Sequence, residues 1–518
     1  MKTPGVYIVE KDAFPNSVVE VATAVPAFIG YTEKADNAGM SLQNKPWPIT
    51  SMAEFHQYFG GAADPLFEIK PHVASKKGEA PTKPDFTVKD KQYVLNQSGQ
   101  NFMLYRCMKL FFNNGGGSCY IVSVGSYKDT IDAGKLTDGV DQLIKEQEPT
   151  MVVIPEAVQL PYQSDCSSLQ QHVLMHCGLK MKNRFAILDV YEGFKDRQDP
   201  PKDVIDQFRD SVGINCLDFA AAYYPWLNTT IVEPGDLSYL NFKDRKALQD
   251  LLRLENEIVE QVKKEGSKEK SEVKDSEVDP KKEQLKQKIS LIAEDLPGQD
   301  KLQLNKTLMQ VSPVFKAMIT AARNKLNLLP PSAAMAGIYT MVDSTRGVWK
   351  APANVSLASV VSPTVNISHD DQEDLNVDIN GKSINAIRSF IGRGVLVWGA
   401  RTLDGNSLDW RYVNVRRTLI MLEESIKQAA KAYVFEDNVA TTWVTIKSMI
   451  RNFLTGIWKR GGLAGAVPQD AFSVAVGLGE TMTPEDILEG ILKVTVLVAV
   501  TRPAEFIEIT FQQQMQKS

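Results

Sequence analysis

Long apolar runs are missing from this 518-residue chain. None reaches the roughly 18 to 20 residues that span a bilayer, and 494–500 is only one strand long. The N-terminus lacks the basic-then-apolar pattern of a secretory signal, so nothing there marks the chain for export on its own. A basic excess is also lacking. The formal charge of -5 argues against a general nucleic-acid or membrane-surface binder. Cysteine is sparse, five residues with no CxxC pair, which fits buried thiols in a reducing compartment better than a disulfide framework. Histidine is equally sparse at five, and neither GxSxG nor HExxH occurs, so a hydrolytic triad has few candidates.

What is there begins at the chain ends. Residues 6–9 (VYIV) and the two segments 492–500 and 506–511 all read as strands. A terminal strand without a local partner leaves backbone donors and acceptors that seek another sheet edge. A chain sticky at both ends can link two neighbours, which is the physics of a polymer. Between the ends, 43% hydrophobic and 23% charged residues are ordinary for a soluble globular protein, and the length allows two to four domains.

The pattern predicts a mixed α/β (α+β) protein. A loop-rich, proline-punctuated stretch covers 36–100, and an apolar stretch, 18–29, closes at Gly30. A helix over 101–112 stops at Asn113-Asn114-Gly115-Gly116-Gly117, followed by a strand at 119–124. Short apolar runs at 151–155, 185–189 and 216–224, with helical stretches at 167–180 and 201–213, predict parallel strands in an α/β layer. Strands are expected at 337–341, 394–400, 410–415 and 472–476. Two long helices are expected at 416–435 and 442–460. On the second, Trp443, Phe453 and Trp458 fall on the apolar stripe and read as core. Residues 243–310 differ. Between Glu257 and Glu283 stand 7 Lys and 9 Asp/Glu, too charged for a core. Apolar stripes at Leu248, Leu251, Leu252, Ile258, Val259, Val262 and at Leu285, Ile289, Leu291, Ile292 make this a surface helical insertion with a solvated tip near 266–280. A coiled-coil partner site is the alternative.

Local chemical signatures are weak. Gly115–Gly117 lies between a helix and a strand with no lysine in place, the reverse of a phosphate loop. Gly381-Lys382-Ser383 supplies the tripeptide, but Asn376 stands where the first glycine belongs. Asn376-x-Asp378-x-Asn380-Gly381 mimics the start of a calcium loop, yet Ile387 occupies the twelfth position. His172 and His176 have the spacing of a shared metal, but the HExxH form is absent and Leu174 and Met175 lie between them; a packed or exposed helix is the default reading and a metal the alternative. No cofactor, metal or catalytic residue is assigned.

The C-terminal third carries a more specific pattern. SINAIRS (383–389), GRGVLVWGARTL (392–403), WRYVNVRRT (410–418) and LEES (422–425) are followed by FLxxIW (453–458), GGLAGA (461–466), AF (471–472) and VTRPAEF (500–506). PGVYI (4–8), FFxNGG (111–116) and CY (119–120) accompany them. In this order the blocks resemble the tail sheath proteins of contractile phage tails and related injection systems. The resemblance is specific at both ends and faint between about 125 and 330, where such sheaths carry variable outer domains.

The resemblance implies a non-enzymatic structural subunit, polymerising as stacked six-fold rings around an inner tube and contracting to drive that tube through a target envelope. The implied partners are other copies of the chain, the inner tube protein, and baseplate and cap proteins. Nucleic acid and direct membrane insertion are not expected. Assembly is expected in the bacterial cytoplasm, ending in a virion or an injection particle. The domain plan is a linking arm (1–22), the start of the sheath domain with a loop-rich segment (23–100), an inserted outer α/β domain (101–330) and a C-terminal sheath domain (331–518). Val6, Tyr7, Ile8, Val9, Phe506, Ile507, Ile509 and Phe511 are the candidate linking residues. Glu423, Glu424, Lys427, Lys431, Lys447, Arg451, Lys459 and Arg460 are the candidate tube contacts, because a contact that must release favours charge over apolar area. An accessory cap- or baseplate-proximal ring, and a nucleotide hydrolase using 115–117 and 381–383, are the competing readings.

Overall fold

Predominantly apolar five- to seven-residue runs need cover on both faces, and that requirement organises the molecule. The computed structural model describes residues 18–73, 83–198, 203–256, 280–377 and 381–508. Pro26–Thr32, Phe185–Asp189 and Ala220–Tyr224 are buried along their whole length. They lie in a nine-stranded sheet. Its spatial order is Val355–Ser356, Gly394–Val397, Asn385–Phe390, Ala220–Tyr224, Phe185–Asp189, Met151–Val153, Pro26–Thr32, Cys119–Ser126 and Trp47–Ile49. The six strands from Asn385–Phe390 to Cys119–Ser126 are parallel, and antiparallel strands close both sides. The parallel layer expected from 151–155, 185–189 and 216–224 is thus present. The apolar stretch 18–29 forms a strand only from Pro26, and that strand does not close at Gly30 but runs through it to Thr32. Strands from both sides of the predicted divisions at 100 and 330 share this one sheet.

Two helices, Leu104–Asn113 and Ser332–Arg346, cross closely beside the sheet. A Cβ on Gly337 would meet the Phe111 carbonyl oxygen at 2.6 Å, so glycine allows the crossing. This corrects the strand expected at 337–341. The apolar run there is the buried side of a helix whose preceding residues, Ala333 to Ala336, are strong helix formers. The expected strand at 410–415 is likewise replaced. Tyr412 is extended, but Val413 opens a helix, Val413–Ala430, that ends before the expected 435. Val413 and Val415 lie on opposite sides of that helix, and both are buried because every residue from Val413 to Thr418 is buried, so the two-sided apolar pattern marks an enclosed helix start rather than a strand.

A second core lies in a lobe made by the three-stranded sheet Leu66–Pro71, Lys91–Ser98, Phe86–Val88 and the helices Arg245–Glu255, Pro280–Ser290, Gly298–Val311 and Pro313–Leu326. Leu248, Leu251, Leu252, Leu285, Ile289 and Ile292 are all buried there, as the stripes require, and Leu291 packs against them. Ile258, Val259, Val262 and the 266–279 tip lie outside the described residues.

The third core belongs to the C-terminal unit. Val413–Ala430 contributes Met421 and Leu422 to it, and Ala440–Lys459 contributes Ile446, Met449, Ile450, Leu454 and Ile457. Trp443, Phe453 and Trp458 pack against this core. Val413 itself belongs to the main core. One uninterrupted helix therefore bridges the main body and the C-terminal unit.

Candidate functional site

The C-terminal unit carries a sheet of only two strands, Phe472–Ala475 and Thr495–Val498, antiparallel with Phe472 opposite Val498 and Ala475 opposite Thr495. The expected strands at 472–476 and 492–500 are therefore present in shorter form. Phe472 and Val474 face the core, and the helix Ala440–Lys459 covers that side. Among the described residues no third strand pairs along either outer edge. The outward backbone groups of both strands have no ladder partner among the described residues, and Leu497 beside them is 64% exposed. The helix supports one face of the ribbon, whose two edges are where further strands can add.

Both described ends of the chain run over this unit. Val18 and Val21 pack against the third core. The Val21 N–H donates to Ser425 Oγ at 3.1 Å, Glu20 pairs with Arg460 at 2.5 Å, and Arg417 Nη2 donates to the Thr23 carbonyl at 2.8 Å. At the other end, 499–505 leaves the ribbon. Ala464 donates to the Ala499 carbonyl at 2.7 Å, and Asn414 Nδ2 to the Thr501 carbonyl at 3.1 Å. Glu505 then seats on Arg401. Beyond it Phe506 and Ile507 are 75% and 80% exposed and not in a strand. Val6, Tyr7, Ile8, Val9, Ile509 and Phe511 lie outside the described residues.

Two adjacent arginines fix the bridging helix to the body. Arg417 pairs with Asp343, and its guanidinium lies 4.7 Å from the Tyr339 ring centre. Arg416 pairs with Asp218 and stacks 3.7 Å from Trp410 and 4.2 Å from Phe219. Cation–π contact and a paired charge compensate the loss of water around each.

The candidate tube contacts are spread along both helices. Glu423, Lys427, Lys431, Arg451, Lys459 and Arg460 are exposed, while Glu424 and Lys447 are half-buried. Several already have intramolecular partners: Lys427 with Glu424 at 3.0 Å, Lys447 with Glu480 at 3.3 Å, and Arg460 with Glu20. Lys427 and Glu424 are three apart on one helix, whereas Lys447 and Arg460 find partners 33 and 440 positions away that leave no local pattern.

The weaker signatures take structural places. Gly115 and its neighbours make the turn between Leu104–Asn113 and Cys119–Ser126, with Gly115 at φ 89°. Lys382 is buried and donates to the Arg209 carbonyl, while Ser383 donates to the Asn376 carbonyl at 2.7 Å. His172 meets Asp141 at 3.0 Å, whereas His176 is buried against Arg184 at 3.1 Å, so the two turn to different partners. Asp378 and Asn380 lie outside the described residues. All five cysteines are free thiols; four are buried and Cys216 is half-buried.

Two carboxylates that sequence reasoning missed are wholly buried. Glu156 accepts from the N–H groups of Tyr31 (2.8 Å), Met103 (3.0 Å) and Leu104 (3.2 Å), capping the helix Leu104–Asn113. Asp189 accepts from Ser332 N (2.8 Å) and Ser332 Oγ (2.5 Å), capping Ser332–Arg346. Burial pushes each up to about 7, against the pull of these donors. They brace helices at the edge of the central layer.

Residues 406–514 match the phage tail sheath C-terminal domain. The chain is 26% identical over 165 residues to the tail sheath protein of Vibrio phage KVP40, and 30% identical over 118 residues to that of Burkholderia phage BcepMu. These alignments take in 32% and 22% of this chain and 24% of each relative, so the chain spans about a quarter of the curated relatives it matches. Solved structures align over far more. The anti-feeding prophage helical sheath in the contracted state matches 99% of this chain and 100% of its own, at 25% identity and a TM-score of 0.59. The PVC sheath complex of an extracellular contractile injection system, also contracted, matches 99% and 98%, at 25% identity and a TM-score of 0.58. A mixed α/β fold shared over nearly the whole length with contractile sheath structures, and a match to the phage tail sheath C-terminal domain over the unit that carries the ribbon, make this chain similar to the contractile tail sheath proteins.

Proposed function

We propose that this chain is the main subunit of a contractile sheath, stacking in six-fold rings around an inner tube between a baseplate and a cap. The observation that carries this reading is the two-stranded ribbon, which has no third strand among the described residues, on the unit over which both described ends of the chain run. Segments 1–22 and 506–511 of neighbouring copies supply the added strands, by β-augmentation. Such a contact is heterologous and does not close on itself, so it propagates as a helix. The bridging helix with Arg416 and Arg417 makes body and C-terminal unit move together, so shortening is taken up between subunits. The full-length likeness to extracellular injection particles favours a phage-tail-like injection system, assembled in the cytoplasm, over a virion. No described helix is long and apolar enough to cross a membrane.

Deleting residues 2–15 tests the reading. The expected product is a folded, soluble subunit that forms no sheath by electron microscopy; normal-length sheaths would refute the linking role. A second reading, a baseplate-proximal ring, draws on the likeness to a chain of the anti-feeding prophage baseplate, at 25% identity and a TM-score of 0.58. Copy number separates the two: one ring per particle against one ring per tube layer.

A further inference from the structure

The last strongly held side chain before the C-terminal arm is Glu505. Its carboxylate accepts from Arg401 Nε at 3.0 and 3.2 Å, from Arg401 Nη2 at 2.7 Å and from the Tyr412 hydroxyl at 3.1 Å. Arg401 is buried, and Nη1 donates to the Asn376 carbonyl at 2.8 Å. The Arg401 backbone is itself locked. Its N–H donates to Asn385 Oδ1 at 2.7 Å, and its carbonyl accepts from Asn385 Nδ2 at 2.7 Å. Asn385 opens the strand Asn385–Phe390, which is paired in parallel with Ala220–Tyr224 in the central sheet. A bidentate guanidinium–carboxylate pair of this kind is strong and directional. One residue further on, Phe506 and Ile507 are exposed along the wall of a groove of about 770 Å³.

We infer that Glu505 is the anchor of the C-terminal arm, and that tension on the arm passes through Arg401 and Asn385 into the nine-stranded sheet rather than into the two-stranded ribbon. The ribbon cannot serve this purpose, since its strands have four residues each and one partner. The anchor fixes where the arm starts, and the exposed Phe506 and Ile507 just beyond it are available to a neighbouring copy. The mechanical half of this inference rests on the linking role proposed above; the anchor itself does not.

Hydrogen exchange on the full-length soluble subunit reads the anchor without any polymer. Glu505→Gln removes the charge from the pair and should raise exchange over 501–508 about tenfold or more, since bonds to charged groups are the strong ones. Exchange over 472–475 should not change. Tyr412→Phe removes one bond only and should give a smaller rise, which guards against a Glu505→Gln chain that does not fold. Unchanged exchange in both variants overturns the anchor. In particles, Glu505→Gln sheaths should break into shorter pieces than the parent under the same shear, and equal lengths overturn the force path. Ile509→Pro, which removes a ladder donor beyond the anchor, reports on the linking role alone. If it forms normal sheaths while Glu505→Gln raises exchange, the linking role falls and the anchor stands.

Discussion

Arg417 Nη2 lies 2.6 Å from Asp343 Oδ2, and both side chains are only 4% exposed. This pair joins the bridging helix to Ser332–Arg346 at the point where the N-terminal segment also passes, through the Thr23 carbonyl. Asp343→Ala leaves a buried guanidinium short of its counter-charge and should cost about 3 to 5 kcal/mol. Arg417→Met combined with Asp343→Leu should cost much less than Asp343→Ala, because no charge is stranded. Urea unfolding midpoints of the soluble subunit check both, and a double variant as weak as Asp343→Ala would refute the account.

Stability should fall as pH rises from about 4.5 to 7 through Glu156 and Asp189. Each has a folded value near 7, above its unfolded value, so its contribution is full below the unfolded value and lost as pH climbs through the folded one. His176 acts in the opposite sense. Burial and the neighbouring Arg184 lower it to about 3, so its contribution is present above about 6.5 and lost as pH falls. Comparing Glu156→Gln with the parent across pH isolates one group. The parent should lose about 3 kcal/mol relative to the variant between pH 4.5 and 8. A constant difference would show that Glu156 does not titrate in this range.

Replacing 266–280 by a short Gly/Ser linker should leave a subunit that folds and assembles. The segment is too charged to offset chain entropy by apolar burial, while the buried stripes on either side, Leu248 to Leu252 and Leu285 to Ile292, are untouched. Electron microscopy of assembled particles checks this. Loss of assembly would mark the segment as an interface.

Lys459→Glu alone should weaken binding to the inner tube, more at low salt than at high. Arg460 is a poorer test, because it already pairs with Glu20 and lies 5.2 Å from the Trp349 ring centre, so reversing it also loosens the N-terminal segment. Co-sedimentation with tube across a salt series gives the measurement. Unchanged binding at every salt concentration would remove this end of the helix from the contact.

What could be read in advance depended on whether the governing pattern was local. Strands at 151–153, 185–189 and 220–224 were legible because each is an apolar run bounded by breakers. The helix Ala440–Lys459 was legible from its apolar stripe and the glycines after it. Short apolar runs carry no period, so 337–341 taken alone could be strand or buried helix; the helix formers before it and the close crossing at Gly337 decide for helix. The same limit applies to charged groups. Glu156 is held by Tyr31, 125 positions away, and Glu505 by Arg401, 104 away, so neither leaves a local signature. Of the candidate site, the ribbon strands and the exposed helix charges were legible. The distant partners of Lys447 and Arg460, and the seat of the arm, were set by tertiary contact.

The brevity of the ribbon has a consequence for when sheaths form. Each strand offers four residues, so one arm laid along one edge gains only a few ladder bonds, each worth about 1 kcal/mol net. Against the entropy of ordering an arm and immobilising a subunit, a single handshake is a losing trade between two strangers in solution. It becomes favourable only when several edges are presented together at a fixed spacing, as on a completed ring, where each newcomer is held at both of its ends at once. Growth should therefore show a lag and a threshold concentration in free solution, and neither on a preformed platform.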